Sequence, residues 1–325
     1  MSRHELENSQ FAPSPLPPGV EGLLRQALEA GHGTVTSGDL RALGLGPALV
    51  QTLVARRLLT RVARGAFVDT GLLAAADDTG RHVLRATAVA RTWPKDVLVS
   101  HTSAALMHGL PLTVRPDRVH SCRRSTGQHR RTRASTIHGG YRDARSSTIR
   151  GVEVLEPRFV VLGVAELHGR DEAVVVGDAA LHRGDVDLAG LKAAADARRH
   201  HPAHGTFTSA VRVMDPAAES PGESRSRLLL LNLGYDPRSQ VVIRDPAGHV
   251  IARVYFLLRG TRVVVEFDGL SKYASAEELA AEKRRELRLR AAGYTVVRLL
   301  WSDLDRPAKV RALVDAALQA DLSAG

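Results

Sequence analysis

The sequence has very little cysteine: Cys122 is the single one among 325 residues. A lone cysteine excludes an intramolecular disulfide framework and fits a reducing compartment. There is also no apolar run near the roughly 20 residues that a membrane span requires, and the N-terminal stretch lacks the apolar core of a signal peptide. These absences predict a soluble, cytoplasmic protein that does not associate with a membrane.

Lysine is scarce as well, so the positive charge is carried mainly by arginine. The net charge is +10 at pH 7, with 45 lysines and arginines against 35 aspartates and glutamates. The guanidinium group stays charged at any cellular pH and binds phosphate through two parallel hydrogen bonds. We therefore expect nucleic acid to be the main partner.

Composition divides the chain into five segments. A length of 325 residues suggests two or three domains, and a hydrophobic content of 44% is enough for proper cores. The stretches "PSPLPPG" and "MDPAAESPGES" mark two of the breaks. The predicted segments are a disordered arm at 1–19, a winged helix at 20–75, a mainly helical middle region at 80–214, a linker at 215–221 and a C-terminal domain at 222–320. Together they predict a mixed α/β (α+β) fold class.

The segment 20–75 has the pattern of three short helices followed by a hairpin. Helical spacing of leucine runs through "GVEGLLRQALEAGHG", "TSGDLRALGL" and "GPALVQTLVARRLL", and two β-prone runs flank Arg64-Gly65. In such a domain the third helix can enter the major groove and the wing can follow phosphates. The candidate DNA-binding residues are Arg56, Arg57, Arg61 and Arg64. A protein-interaction module is the alternative, which we favour less.

This N-terminal text, "GTVTSGDLRALGLGPALVQTLVARRLLTRVARGAFV", resembles the winged-helix domain of AbiEi-type antitoxins from type IV toxin–antitoxin systems. The resemblance covers about residues 20–75 and continues weakly into "SHTSAALMHGLPL". It implies a DNA-binding transcriptional regulator. A cognate toxin and self-association both stay open.

Histidines in the middle region invite a catalytic or metal hypothesis. His101 and His108 lie seven residues apart, which places them on one helical face. Neither a cysteine nor a third ligand accompanies them in the sequence, so we expect packing or polar capping rather than a metal site.

The C-terminal segment predicts the order helix, three strands, helix, strand, helix. Its central strand, "VVVEF", delivers Glu266 and Asp268 two residues apart, which places both on one face of the strand. Glu223 comes from the first turn of the opening helix. Three carboxylates that converge on one strand end would suit Mg²⁺, or Mn²⁺, bound beside DNA phosphate.

Residues 222–305 resemble the Vsr-like endonuclease domain, the very-short-patch-repair branch of the PD-(D/E)xK fold. The matching pieces are "GESRSR", "VVVEFDGLSKY", "AEKRRELRLRAAGY" and "VVRLLWSDL". The resemblance implies a metal-dependent phosphodiesterase with Glu223, Glu266 and Asp268 at the acidic positions, and with Lys272 as the candidate that orients the attacking water.

One departure from that family pattern matters. Where the family places a metal-binding aspartate in its second strand, this sequence has Tyr255 in "ARVYF". Tyrosine is neutral at pH 7 and a poor Mg²⁺ ligand. Two functions therefore stay open. One is a DNA-binding protein with a Mg²⁺-dependent endonuclease-like domain weakened by Tyr255. The other is a non-enzymatic antitoxin-type regulator that keeps the nuclease fold as a scaffold.

Overall fold

The computed structural model describes residues 16–125, 129–139, 141–142, 144–269 and 276–324. The predicted arm at 1–19 thus lies largely outside the described residues. Helices and strands are both abundant, which confirms the mixed fold class. Within the described ranges no helix is long and apolar enough to cross a membrane. The chain divides into two compact units: unit 1 comprises residues 1–110 and 114–167, and unit 2 comprises residues 111–113 and 168–325.

Unit 1 opens with the element order expected of a winged helix. Its three-stranded antiparallel sheet has the order β1-β3-β2. The elements are α1 (Val20–Ala30), β1 (Thr34–Thr36), α2 (Ser37–Ala42), α3 (Pro47–Ala55), β2 (Leu59–Ala63), β3 (Ala66–Asp69) and α4 (Thr70–Ala75).

Local chemistry explains these boundaries. Thr36 and Asp39 form a capping box, in which each side chain accepts a hydrogen bond from the other's backbone N–H, and this fixes the start of α2. Gly65 has a φ of 74° and makes the tight turn between β2 and β3, as expected for the hairpin. Leu40 and Leu53 are fully buried in the core between the helices and the sheet.

The rest of unit 1 contains a sheet that the sequence did not predict. After α5 (Asp78–Ala90), six strands pair in the order β6-β7-β5-β4-β9-β8, with α6 inserted after β4. The elements are β4 (Val97–Val99), α6 (His101–Met107), β5 (Val119–Arg123), β6 (Arg130–Arg131), β7 (Ser135–His138), β8 (Ser146–Ile149) and β9 (Val152–Leu155). A mainly helical region is therefore wrong for residues 97–155. These strands have at most five residues each, too few for a clear alternating pattern.

Helix α7 (Pro157–His182) follows, and the chain passes from unit 1 to unit 2 within it, next to a kink at Gly169 with a φ of 82°. Unit 2 continues with α8 (Leu188–Ala197) and α9 (His204–Val211). The predicted linker at 215–221 does not separate the two units. A buried ion pair explains this, because Arg227 donates to Asp178 at 2.7 Å and so binds α7 to the helix that follows the predicted linker.

The C-terminal domain has the predicted order of elements, with one additional single-turn helix. Its sheet has the order β10-β11-β12-β13, in which the first two pairings are antiparallel and the last is parallel. The elements are α10 (Pro221–Asn232), β10 (Pro237–Arg244), β11 (Val250–Leu258), β12 (Val263–Phe267), α11 (Ala276–Ala291), β13 (Thr295–Leu299), α12 (Trp301–Leu304) and α13 (Pro307–Ala324). Apolar clusters cover both faces, so β12 is buried along its whole length.

Candidate functional site

Glu266 lies on the central strand of the C-terminal sheet and is only 4% exposed. A carboxylate buried to this degree needs a compensating partner. The guanidinium of Arg285, on α11, donates to Glu266 Oε1 at 3.2 Å and also to the backbone oxygen of Arg253. The cation that meets this carboxylate is therefore supplied by the protein itself.

Glu223 is fixed at the start of α10. Ser220, the residue that caps this helix, donates its hydroxyl to Glu223 Oε1 at 2.7 Å. Gln240 and the backbone N–H of Glu219 donate to Oε2 at 2.9 and 3.1 Å. Both oxygens of Glu223 thus accept hydrogen bonds from the helix start and from strand β10.

Asp268 follows β12, and one of its oxygens lies 3.8 Å from the guanidinium of Arg298 on β13. Arg298 also donates to Glu286 at 2.7 Å. The Phe256–Val265 pairing shows that β11, which carries Tyr255, lies beside β12, which carries Glu266, as the sequence predicted. Tyr255 itself is partly buried against the sheet core.

The carboxylate oxygens of the three predicted residues do not all lie within 4.8 Å of one another. Among the residues that the structure describes, one set of three or more histidine, cysteine or acidic side chains has its ligand atoms within 4.8 Å of one another. That set does not include Glu223, Glu266 or Asp268. Lys272 lies outside the described residues. The geometry therefore keeps Glu223, Glu266 and Asp268 in one domain but stabilises them through protein donors.

The predicted arginines of the winged helix fall into two groups. Arg56 and Arg57 follow the end of α3, and Arg57 has a left-handed backbone with a φ of 57°. Arg61 and Arg64, on the hairpin, line a cleft of about 770 Å³ within unit 1. This feature, called the arginine cleft below, is lined by five arginines: Arg61, Arg64, Arg85, Arg118 and Arg133.

The arginine cleft is strongly cationic. Among the described residues, Asp117 is the single acidic one that lines this cleft. Arg118 binds its carboxylate through hydrogen bonds of 2.7 and 2.9 Å, which lower the pKa of Asp117. His82 also lines the cleft, but burial and the nearby Arg85 lower its pKa to about 4, so it is neutral at pH 7. The cleft therefore presents a net excess of guanidinium groups, which is the chemistry that binds phosphate.

A second cluster in unit 1 was missed by the sequence analysis. It consists of five side chains that come from α6, β5, β7, the segment after β7, and α7: His101, His120, His138, Tyr141 and Glu166. We refer to it as the histidine cluster. His101 is fully buried and has a left-handed φ of 53°, a strained conformation for a residue other than glycine.

The electrostatics of the histidine cluster place one neutral imidazole, that of His120, near one ionised carboxylate, that of Glu166. Burial, followed by the neighbouring His101 and His138, lowers the pKa of His120 to about 3. Burial alone would raise the pKa of Glu166, but the interactions of this carboxylate with His101 and His138 outweigh burial and hold that pKa far below its usual range. Glu166 is therefore ionised at pH 7.

Of the two histidines singled out in the sequence, His101 belongs to this cluster and His108 does not. The expected packing role fits His108, whose ring nitrogen Nε2 lies 2.8 Å from the backbone oxygen of Leu155. The partners of His101 are distant in the sequence, because His138 and Glu166 lie 37 and 65 positions away. A search for ligands near His101 in the sequence therefore does not find them. Gly163, a glycine within α7, marks the close approach of this helix to His101, because an added β-carbon would lie 2.8 Å from His101 Cγ.

Comparison with known proteins adds relatives but no activity. No protein-family model matches the chain. It is similar to two proteins of Mycobacterium tuberculosis, uncharacterized protein MT2308 of strain CDC 1551 / Oshkosh and uncharacterized protein Rv2248 of strain ATCC 25618 / H37Rv. Each is 26% identical over 184 residues, which cover 56% of this chain and 68% of the relative. Their names describe no function that could be carried over.

Proposed function

We propose that the chain is a DNA-binding protein of the regulatory type, which holds duplex DNA through phosphate contacts in the arginine cleft. The observation that carries this proposal is the convergence of five arginines on one cleft that has a single, already paired aspartate. Two of these arginines, Arg61 and Arg64, belong to the wing, the part of a winged helix that follows phosphates. The resemblance to AbiEi-type antitoxins supports the same role.

A binding assay tests the cleft directly. The double variant Arg64→Ala/Arg133→Ala removes two cleft arginines, and we expect it to weaken binding to a fluorescent duplex by about tenfold or more through lost phosphate contacts. Arg238→Ala is the matched control, because Arg238 is exposed on β10 and lies outside the cleft. Equal losses per removed arginine in the two proteins would mean that net charge, and not the cleft, determines binding.

For the C-terminal domain we propose a nuclease-like scaffold whose metal site is weakened or lost. Arg285 binds Glu266. Glu223 accepts hydrogen bonds from Ser220 and Gln240. Tyr255 replaces the anionic ligand that the Vsr-like resemblance requires. Cleavage dependent on Mg²⁺ or Mn²⁺ is the second candidate function. The observation that favours it is the placement of Glu266 and Asp268 at the end of the central strand.

Plasmid nicking separates these two candidates. We expect no conversion of supercoiled plasmid to nicked circles with either Mg²⁺ or Mn²⁺, while the same preparation still binds the duplex. Nicking that EDTA abolishes, and that Glu266→Gln also abolishes, would instead establish the endonuclease and reject the scaffold.

A further inference from the structure

The histidine cluster has the donor set and spacing of a transition-metal site. Glu166 Oε2 lies 3.1 Å from His101 Nε2, and Glu166 Oε1 lies 3.6 Å from His138 Nδ1. A tetrahedral ion with bonds of about 2.0–2.1 Å places its ligand atoms roughly 3.3 Å apart. The two observed separations, which involve different oxygens of Glu166, lie on either side of that value, and one ligand atom from each of the three residues lies within 4.8 Å of the others.

His138 provides an independent sign that something binds here. Its side chain is 3% exposed, yet Nδ1 has no hydrogen-bond partner among the described residues. A buried polar nitrogen without a partner costs about 1–3 kcal/mol. This nitrogen faces the Glu166 carboxylate across 3.6 Å, which is too long for a hydrogen bond. A cation between the two groups would satisfy both.

The second ring nitrogen of each histidine is already held. Ser100 Oγ lies 2.7 Å from His101 Nδ1, and His120 Nδ1 lies 2.9 Å from His138 Nε2. Metal-binding histidines characteristically use their other nitrogen in this way, because that hydrogen bond fixes the tautomer and leaves a lone pair for the ion. The rings of His101 and His138 are stacked, with centroids 3.8 Å apart, and each ring has one nitrogen within 3.6 Å of a Glu166 oxygen.

We infer that His101, His138 and Glu166 form a binding site for a divalent ion of the Zn²⁺ class. Two imidazole nitrogens and one carboxylate oxygen suit Zn²⁺ or Co²⁺, whereas Mg²⁺ prefers a shell made of oxygen alone. The ligands come from α6, β7 and α7, so the ion would join three separate elements of unit 1. Tyr141, whose hydroxyl donates to Glu166 at 3.2 Å, acts as a positioning residue for that carboxylate.

Metal titration of the full chain after treatment with a chelator tests the site. With Zn²⁺ in the calorimeter we expect one equivalent to bind, and with Co²⁺ we expect the intense visible absorption of a tetrahedral complex. Mg²⁺ should produce neither signal. Glu166→Gln and His138→Asn should each weaken Zn²⁺ binding by at least about 10–100-fold.

His249→Asn is the matched control. His249 forms an exposed pair with Asp245 at 3.1 Å in unit 2, so this variant removes a histidine beside a carboxylate elsewhere in the chain and should leave the high-affinity equivalent unchanged. Glu166→Gln keeps the size and shape of the side chain, and its circular dichroism reports whether the protein is folded. Absence of a tight equivalent in the wild type, or equal Zn²⁺ affinity in folded Glu166→Gln, would overturn the site and leave a network of hydrogen-bonded imidazoles.

Discussion

At the residue scale, the acidic positions of the C-terminal domain show what a single sequence can and cannot predict. The burial of Glu266 at the end of an apolar strand was predictable, and so was its need for a cation. The identity of that cation was not, because Arg285 lies 19 positions further along, on a helix whose rotation relative to the sheet is set by packing. A metal ion and an arginine can each neutralise a buried carboxylate, and the sequence alone does not distinguish between the two.

Tyr255 gives the first prediction. Tyr255→Asp adds a carboxylate on β11, the strand that pairs with the one carrying Glu266. We expect it to raise Mn²⁺ affinity at least about tenfold, or about 1.4 kcal/mol, because divalent ions need several anionic oxygens. Calorimetric Mn²⁺ titration measures this change, and Tyr255→Asn is the uncharged control. If the two variants bind Mn²⁺ equally, the added charge does not reach the other carboxylates.

The buried histidines give a prediction for pH dependence. The pKa of His82 is lowered to about 4 and that of His120 to about 3, mainly by burial, so both stay neutral in the folded chain while the unfolded chain takes up protons near pH 6.5. Their contribution to stability is therefore complete above pH 6.5 and is lost as the pH falls towards 4. The expected slope is about 1.4 kcal/mol per pH unit for each histidine.

Urea unfolding at several pH values, with a chelator present, checks that slope. His82→Gln should reduce the slope between pH 6.5 and 4 by about 1.4 kcal/mol per pH unit, because this imidazole no longer titrates. His249→Gln, which changes an exposed side chain, should leave it intact. A wild-type stability that does not change over this range would show that these imidazoles are not held neutral.

At the element scale, the helices and the long C-terminal strands were predictable and the central sheet of unit 1 was not. Strands β10 and β11 have eight and nine residues, and short turns join β10 to β11 and β11 to β12. The β-prone runs and the loop lengths therefore both predicted antiparallel strands. Strands β4 to β9 have two to five residues and contain polar side chains, and several of their pairings join segments distant in the chain. Local propensity holds no information about such pairings.

Glycine substitutions test how closely α7 approaches the histidine cluster. Alanine normally stabilises a helix relative to glycine by about 1 kcal/mol. At Gly163, however, the added β-carbon would lie 2.8 Å from the ring of His101 and 3.1 Å from the hydroxyl of Tyr141. We expect Gly163→Ala to destabilise the protein and to weaken Zn²⁺ binding, because the ring of His101 must move.

Gly22→Ala is the matched control for this prediction. Gly22 lies within α1, and a β-carbon there would meet no atom within 4 Å, so the substitution should stabilise by up to about 1 kcal/mol. Chemical denaturation of the two variants gives the comparison. Stabilisation by both would mean that α7 does not depend on close contact at Gly163.

At the scale of the whole molecule, composition located one boundary in the wrong place. The segment 215–221 is rich in proline and polar residues, as linkers are, yet it lies inside unit 2. Arg227 and Asp178, with side chains 6% and 1% exposed, form an ion pair that connects the segments on either side of it. Burial raises the pKa of Asp178 even though Arg227 opposes the effect.

This pair predicts that residues 168–214 are required for the stability of the C-terminal domain. Arg227→Met leaves a buried, unpaired carboxylate and should cost about 3–5 kcal/mol, with a smaller cost at acidic pH, where Asp178 is protonated. The double variant Arg227→Met/Asp178→Asn should recover part of that loss. Urea titrations of wild type, the two single variants Arg227→Met and Asp178→Asn, and the double variant measure the coupling, and additive effects of the two substitutions would contradict it.

The central claim, that the arginine cleft binds DNA phosphates, is tested most directly by the salt dependence of duplex binding. A plot of log affinity against log salt concentration has a slope of about −0.9 for each phosphate contact. Arg64→Ala/Arg133→Ala should therefore reduce the slope by about 1.8 relative to wild type, while Arg238→Ala leaves it unchanged. Equal slopes for wild type and the double variant would contradict the account and place the phosphate contacts elsewhere on the chain.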